Sequence, residues 1–401
     1  MESDSTSRST PLNVTTTRRS IFDSKKHKVK SILSEDGDII DCIDIYKQPA
    51  FNHPALKSHT IQMVPTKVLK TEDTLTNDAI KGGKKEADSI TITSQLWHRS
   101  GSCPKGTIPI RRIQKHFLNK KNVDDYGRKK PSQPMNHHDM KLKDSTNSLA
   151  NHSVTQVLAE GFSYSGAKVD IRVWTPYVEK EDEYSTSRVL IENGGLTDFE
   201  LVETGWAVNP SVYNDHETRL YTYWTADGSK TTGCFDLTCP GFVQVTDEIA
   251  LGAAIYPVSK PNSIPYQITV YIYKDPMTNN WWVNYGESIN IGYWPGELFS
   301  QLWYHGLIVK WGGEVYSQWV KGRHPHTATY MGNGMEPPPM WGNCGTMTRM
   351  RVEQNSSPLM KPEWTSVEVD EYRCYDILYE VDYVYDPILY YGGPGRTWAC
   401  P

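Results

Sequence analysis

From Val154 to the C-terminus the chain is almost free of helical periodicity, and this constrains its fold most. Val169, Ile171 and Val173 alternate with Asp170, Arg172 and Trp174. Leu220, Thr222 and Trp224 alternate with Tyr221, Tyr223 and Thr225, and Ile268, Val270 and Ile272 with Thr269, Tyr271 and Tyr273. A period of two places successive side chains on opposite faces of a strand. Clusters of Gly, Pro, Asn and Asp separate these runs, where turns require them. Short strands without an internal repeat, continued to residue 401, predict a large antiparallel sandwich or a barrel. Only Glu297–Leu307 carries the pattern of a short helix.

The first 150 residues differ. They hold 26 Lys+Arg against 17 Asp+Glu, whereas residues 151–401 hold 16 against 30, and 12 of the 13 tryptophans lie in that second part. A basic segment ahead of an acidic body is either a nucleic-acid-binding arm or a cationic piece that docks on its own chain. The basic residues are scattered among apolar runs, which favours docking. Residues 1–30 read as a tail rich in Ser, Thr and Lys. Residues 31–70 read as a compact, partly extended module and 71–95 as polar loop. Gly101–Leu118 begins extended and ends with a short helical pattern. Residues 119–152 read as an exposed linker open to proteolysis. No apolar run reaches 18 residues, so no membrane span is expected, and the polar N-terminus lacks the apolar stretch of a secretory signal.

Seven cysteines include no CxxC pair, which argues against structural zinc. Cys42–Cys103 would staple the N-terminal module, Cys234–Cys239 would close a tight loop, and Cys374–Cys400 would pin the C-terminus, leaving Cys344 over. Sequons stand at Asn13, Asn151 and Asn355. Together with the cysteines they favour a secretory route. The sequence has no GxSxG elbow, HExxH helix, P-loop or post-strand GxGxxG. His324 and His326 have no third ligand nearby in sequence, so no metal and no organic cofactor is expected.

Two glutamates stand out. Glu203, in FELVETGWAVNP, shares a strand face with Leu201 and Gly205; Glu314, in LIVKWGGEVYSQW, follows two glycines. Both lie among apolar residues and tryptophans, where lost solvation raises a carboxyl pKa. Facing across a cleft, one would hold a proton while the other activates a water. Most glutamates on strands simply face solvent, and local context does not decide between these readings.

Longer blocks carry a resemblance. Residues 202–244, VETGWAVNPSVYNDHETRLYTYWTADGSKTTGCFDLTCPGFVQ, closely resemble the hallmark block of the neprosin family, plant glutamic peptidases. IGYWPGELF (291–299), VKWGGEV (309–315), HTATYMGNG (326–334) and YYGGPG (390–395) follow in the family's order. DGDIIDCIDIYKQPAFNHPALKSH and GSCPKGTIPIRR resemble its propeptide. The resemblance implies an all-β fold: a large antiparallel β-sandwich catalytic domain, residues 153–401, preceded by a small mixed propeptide domain, residues 31–118. It implies a secreted or vacuolar zymogen that cleaves proline-containing peptides in acid. Glu203 and Glu314 would be the catalytic pair, with Glu297 as fallback for the second position. Cys234–Cys239 and Cys374–Cys400 match the disulfides expected of the family.

The same resemblance makes Trp206, Trp224 and Trp294, with Tyr223 and Tyr293, candidate walls for a proline ring, which is apolar and lacks an N–H. Each ring would serve equally as sandwich core. The propeptide would act as an intramolecular inhibitor, released when acid protonates the anionic body. No nucleic-acid or membrane partner is expected. The chain departs from the family at Asn214, where YNDH has Asn in place of an expected glycine, and across residues 182–196 ahead of the first glutamate. The rival reading is a non-catalytic sandwich whose aromatic, acidic face stacks on cell-wall sugars.

Overall fold

The structure is a computed structural model and describes residues 21–68, 91–114, 126–129, 151–195, 197–337, 343–381 and 386–401. Two strands open the N-terminal module, β1 (Lys28–Leu33) and β2 (Ile39–Asp44). Two short strands, β3 (Thr91–Ile92) and β4 (Ser94–Gln95), fall where the sequence suggested only loop, and β5 (Thr107–Arg111) follows. Antiparallel pairing gives the order β1-β2-β5, and Cys42–Cys103 staples β2 to the segment before β5. The expected helical pattern at 115–118 lies outside the described residues.

The body begins with β6 (His152–Arg172), a strand of 21 residues. Next come β7 (Tyr184–Asn193), β8 (Glu200–Val208), β9 (Arg219–Thr225) and the short β10 (Cys234–Phe235), β11 (Val243–Gln244) and β12 (Ile255–Tyr256). They are followed by β13 (Tyr266–Lys274), β14 (Trp281–Tyr285), β15 (Ile289–Trp294) and β16 (Gly306–Tyr316). The last four are β17 (Gly345–Gln354), β18 (Thr365–Val369), β19 (Asp376–Glu380) and β20 (Ile388–Gly392). The alternating segments all form strands, because a half-buried pleated surface is what their period fits. The expected helix at 297–307 is only a 3-10 turn at Gly296–Leu298.

Hydrogen-bonded neighbours run β10-β9-β8-β7-β16-β6-β13-β14-β15-β11. β6 joins two layers. Its first half pairs with β16 and β18, and its second half pairs with β13 and β17. The exposed residues Glu160 and Gly161, the latter at φ +97°, mark the passage between them. Between the layers lies one continuous core. Val189, Val202 and Trp311 come from the first layer; Val169, Val270 and Val283 come from the second. Burial of such side chains is worth roughly 1.5–3 kcal/mol each. The opposite face of each layer is therefore left for other work. The N-terminal module covers part of it, with β3 adding parallel to β13 and β4 pairing with β12. Among the described residues no helix is long and apolar enough to cross a membrane.

Candidate active site

Glu203 lies on β8, directly opposite Leu190 of β7 and Tyr223 of β9. Glu314 lies on β16, opposite Thr186 of β7 and Val154 of β6. β7 thus runs between the two glutamates, and both face away from the core. Arg188 of β7 pairs with Gly205 on one side and Gly312 on the other. Those glycines explain the neighbouring motifs. A side chain there would stand beside the guanidinium, and a Cβ would fall 2.0 Å from the Ser187 carbonyl oxygen at Gly205 and 2.2 Å from that of Thr155 at Gly312.

The carboxylates are 1% and 2% exposed. A single nitrogen joins them: Lys129 Nζ donates to Glu203 Oε1 and Oε2 at 2.8 and 3.0 Å and to Glu314 Oε2 at 2.9 Å. Arg188 stands at ion-pair distance from both, 3.2 Å from Glu203 and 3.3 Å from Glu314. His152 Nδ1 lies 2.6 Å from Glu314 Oε1, which also accepts from Tyr184 Oη at 2.8 Å. Tyr221 Oη donates to Glu203. Burial and the adjacent carboxylates push both phenols well above their usual range, so they remain donors. Burial would raise the Glu314 carboxyl, but Lys129, Arg188 and His152 outweigh it and hold the group well below the usual carboxylate range. A carboxyl protonated by desolvation, as expected from sequence, does not describe Glu314 here. Two carboxylates balance one ammonium and one guanidinium.

Lys129 comes from the segment read as an exposed linker. Residues 126–129 are instead a tucked strap. Tyr126 Oη donates to the Val212 carbonyl at 2.8 Å, and Phe235 N donates to the Gly127 carbonyl at 2.7 Å. Gly127 has φ +72°, and a Cβ there would fall 2.1 Å from Thr238 Oγ1, so only glycine fits this close approach. Lys129 Nζ also lies 5.0 Å from the centroid of the Tyr223 ring. The remainder of 119–152 up to residue 150, apart from this strap, lies outside the described residues.

A cavity of about 240 Å³ opens beside the carboxylates, with Leu190, Phe199, Leu201, Tyr223 and Ile308 among its lining. Of the candidate wall residues, Tyr223 lines it. Trp206, Trp224 and Trp294 instead belong to the core between the layers, facing away from the cavity, because alternation sets them on the opposite face from Glu203 on β8, Tyr223 on β9 and Tyr293 on β15 respectively. Tyr293 lies on the outer face of the second layer, where its hydroxyl accepts from Gln62 N at 2.8 Å. Glu297, the fallback acid, is half exposed and 3.7 Å from His59, away from the pair. His326 lies close to Cys374 and Cys400, but these cysteines are joined as a disulfide. Cys234–Cys239 is also formed, and Cys344 is free and buried.

Sequence reading missed Lys129, His152, Tyr184, Arg188 and Tyr221. Tyr221 was accessible, since it sits two residues before Tyr223 on the same face. Tyr184 and Arg188 lie in the divergent stretch 182–196, which proves to be the strand between the glutamates. Asn214 caps the short helix Pro210–Tyr213 at φ 66°. A left-handed position explains why glycine was expected there and why Asn, which also tolerates it, serves.

Three solved structures overlap the body weakly. Scytalido-glutamic peptidase with a peptide-based transition-state analogue has 8% identity and a TM-score of 0.32, covering 61% of this chain and 98% of its own. The same peptidase with a transition-state analogue inhibitor has 8% identity and 0.34, covering 60% and 98%. SCP-B, a member of the Eqolisin family of peptidases, in a complex with the tripeptide Ala-Ile-His, has 8% identity and 0.31, covering 61% and 98%. Overlap of that depth supports no transfer of residues. Family profiles are decisive: the Neprosin activation peptide matches residues 31–156 and Neprosin matches residues 181–394. The chain therefore belongs to the neprosin family and carries that family's activation peptide ahead of its β-sandwich body.

Proposed function

We propose that the protein is a glutamic endopeptidase acting at proline-containing segments, kept latent by its activation peptide. The observation that carries this reading is the bridge of Lys129 Nζ to both Glu203 and Glu314 at 2.8–3.0 Å. An atom that touches both carboxylates occupies the position a nucleophilic water needs. With the ammonium in place, no water fits and both acids are neutralised by fixed charge.

Withdrawal of Lys129 leaves two buried carboxylates facing Arg188. One takes up a proton, since like charges this close do not both stay ionised at modest cost. The ionised member then removes a proton from a water placed where Nζ had been. The protonated member donates to the scissile carbonyl oxygen as the water oxygen bonds to the carbonyl carbon. When the C–N bond breaks, the glutamic acid formed by the first transfer gives its proton to the leaving nitrogen, while a hydroxyl of the tetrahedral intermediate passes its proton to the other glutamate as the carbonyl re-forms, which restores the pair. Arg188 remains as fixed positive charge, and Tyr184 and Tyr221 hold the carboxylate rotamers. The apolar part of the cavity, walled by Leu190, Phe199 and Tyr223, suits a proline ring.

Maturation falls between residues 130 and 151 in this reading. β6 begins at His152 as an interior strand paired on both edges, so a cut beyond that point would tear the sheet. The three disulfides fit passage through an oxidising compartment, consistent with a secreted or vacuolar protein.

The test uses acid-treated protein and a quenched proline-containing peptide. The unsubstituted chain cuts it, whereas Glu203→Gln and Glu314→Gln each fall by at least about a thousandfold. Cleavage retained in either variant refutes the assignment. Binding of a cell-wall polysaccharide by all three, with no cleavage, supports the rival binder instead.

A further inference from the structure

A second lysine of the activation peptide occupies a second built pocket, far along the sheet from the glutamates. On the outer face of the second layer, Lys67 Nζ sits against both oxygens of Glu353. It lies 5.4 Å from the centroid of the Tyr273 ring and 5.9 Å from that of Tyr271. Glu353 is 4% exposed and accepts from Tyr271 Oη. Room for its carboxylate comes from Gly166, directly opposite in register, where a Cβ would lie 2.7 Å from Glu353 Oε2. One residue earlier, Thr66 Oγ1 donates to Asp275 Oδ1 at 2.7 Å, and Gln62 donates to Asp275 Oδ2 at 3.1 Å.

The arrangement is specific for a cation on a bent, non-helical segment. A buried carboxylate and two ring faces enclose the ammonium, and Asp275 fixes the backbone beside it. Nearly all of this pocket belongs to the body. Trp282, on the same face, also buries an Nε1–H that finds no acceptor among the described residues. When the activation peptide leaves, the body exposes this anionic, aromatic surface, and residues 151–401 carry a strong excess of acidic over basic groups.

We propose that the mature protein reuses this pocket as an exosite that captures a lysine side chain on a non-helical segment of its protein substrate. The proposal rests on the reading that residues before the maturation cut act as a departing activation peptide; it does not require turnover. Its recognition element is charge plus ring faces. A neutral sugar would use the rings and leave the charge of Glu353, still hydrogen-bonded by Tyr271, without a cation to balance it.

The experiment takes the full-length Glu203→Gln chain, cuts it between residues 130 and 151 with an added protease, and washes off the N-terminal fragment in acid. The inactive dyad keeps peptide cleavage out of the readout, so failure of the peptidase reading would not alter the result. A fluorescein-labelled peptide with the sequence of residues 62–68 is titrated by anisotropy, beside the same peptide carrying Gln for Lys67. At least tenfold weaker binding of the Gln peptide is expected. A Glu353→Gln form should lose the preference between the two peptides. Equal affinity for both peptides on the Glu353 protein overturns the proposal whether or not the variant folds. So does a fragment that never leaves, or tighter binding of a β-glucan hexasaccharide than of the lysine peptide.

Discussion

Replacing Lys129 by Met removes the ammonium while keeping an apolar stem of similar length. The site then holds two buried carboxylates against Arg188, a net deficit of one positive charge. Breaking a buried ion pair by removing one partner costs about 3–5 kcal/mol. At about 1.4 kcal/mol per factor of ten, that shifts the balance between plugged and open site by roughly two to three and a half orders of magnitude. The direction with pH follows from Glu314. Its carboxyl is held low by Lys129 among others, so the stabilisation it gives the plugged state is present above the ordinary glutamate range. It is lost as pH falls through the lowered value. Without Lys129 that value rises, and the site opens at higher pH. The assay is the initial rate of cleavage of a quenched proline peptide by freshly purified full-length protein, from pH 3 to pH 7. The Met variant should show its activity threshold at higher pH and a shorter lag, and a Glu203→Gln version of it should show neither. An unchanged threshold and lag would refute the idea that this ammonium holds the enzyme latent.

Three further outcomes are expected. Asp38 of the activation peptide is buried against Arg219 of the body at 2.6 Å, and Arg219 and Arg111 outweigh burial to hold its carboxyl low. Asp38→Asn leaves Arg219 with Asp215 as its carboxylate partner among the described residues, so the cut N-terminal fragment should separate from the body on gel filtration at neutral pH, where the unsubstituted fragment stays bound. Because these pairs are buried, acid should release the fragment far more effectively than salt, which screens exposed charges. Asp236 is enclosed and burial pushes its carboxyl up to about 7. Its folded value exceeds the unfolded one of about 3.9, so the stability it contributes is full below about pH 4 and is lost toward pH 7. The loss amounts to at most about 4 kcal/mol. Asp236→Asn removes that dependence, and the melting temperature of the variant relative to the unsubstituted protein should climb steadily between pH 4 and pH 7.

Docking of the activation peptide is less simple than the charge split implied. Lys67 and Lys129 follow the expected sign, a basic segment meeting acidic groups of the body. Asp38 on Arg219 reverses it. Net charge describes the average field of a segment, whereas the buried contacts depend on which individual groups the fold brings face to face.

The strands were legible because period-two alternation reports directly which residues can share a buried face, and β6, β9 and β13 fall on the runs that showed it. That same parity also separates Tyr223, on the cavity side, from Trp206 and Trp224, in the core; composition alone made all three look alike. Glu203 and Glu314 were legible through family blocks, not through local context. What the sequence determined by itself was therefore a β-sandwich, its disulfide loops and the two acids as candidates. Their meeting depended on β7 lying between β8 and β16, a pairing between segments more than a hundred residues apart that no local pattern encodes. Lys129 was invisible for the same reason. A lysine in a polar stretch looks solvated until the chain is folded, and only tertiary structure brings its ammonium between two carboxylates that would otherwise be buried and repel.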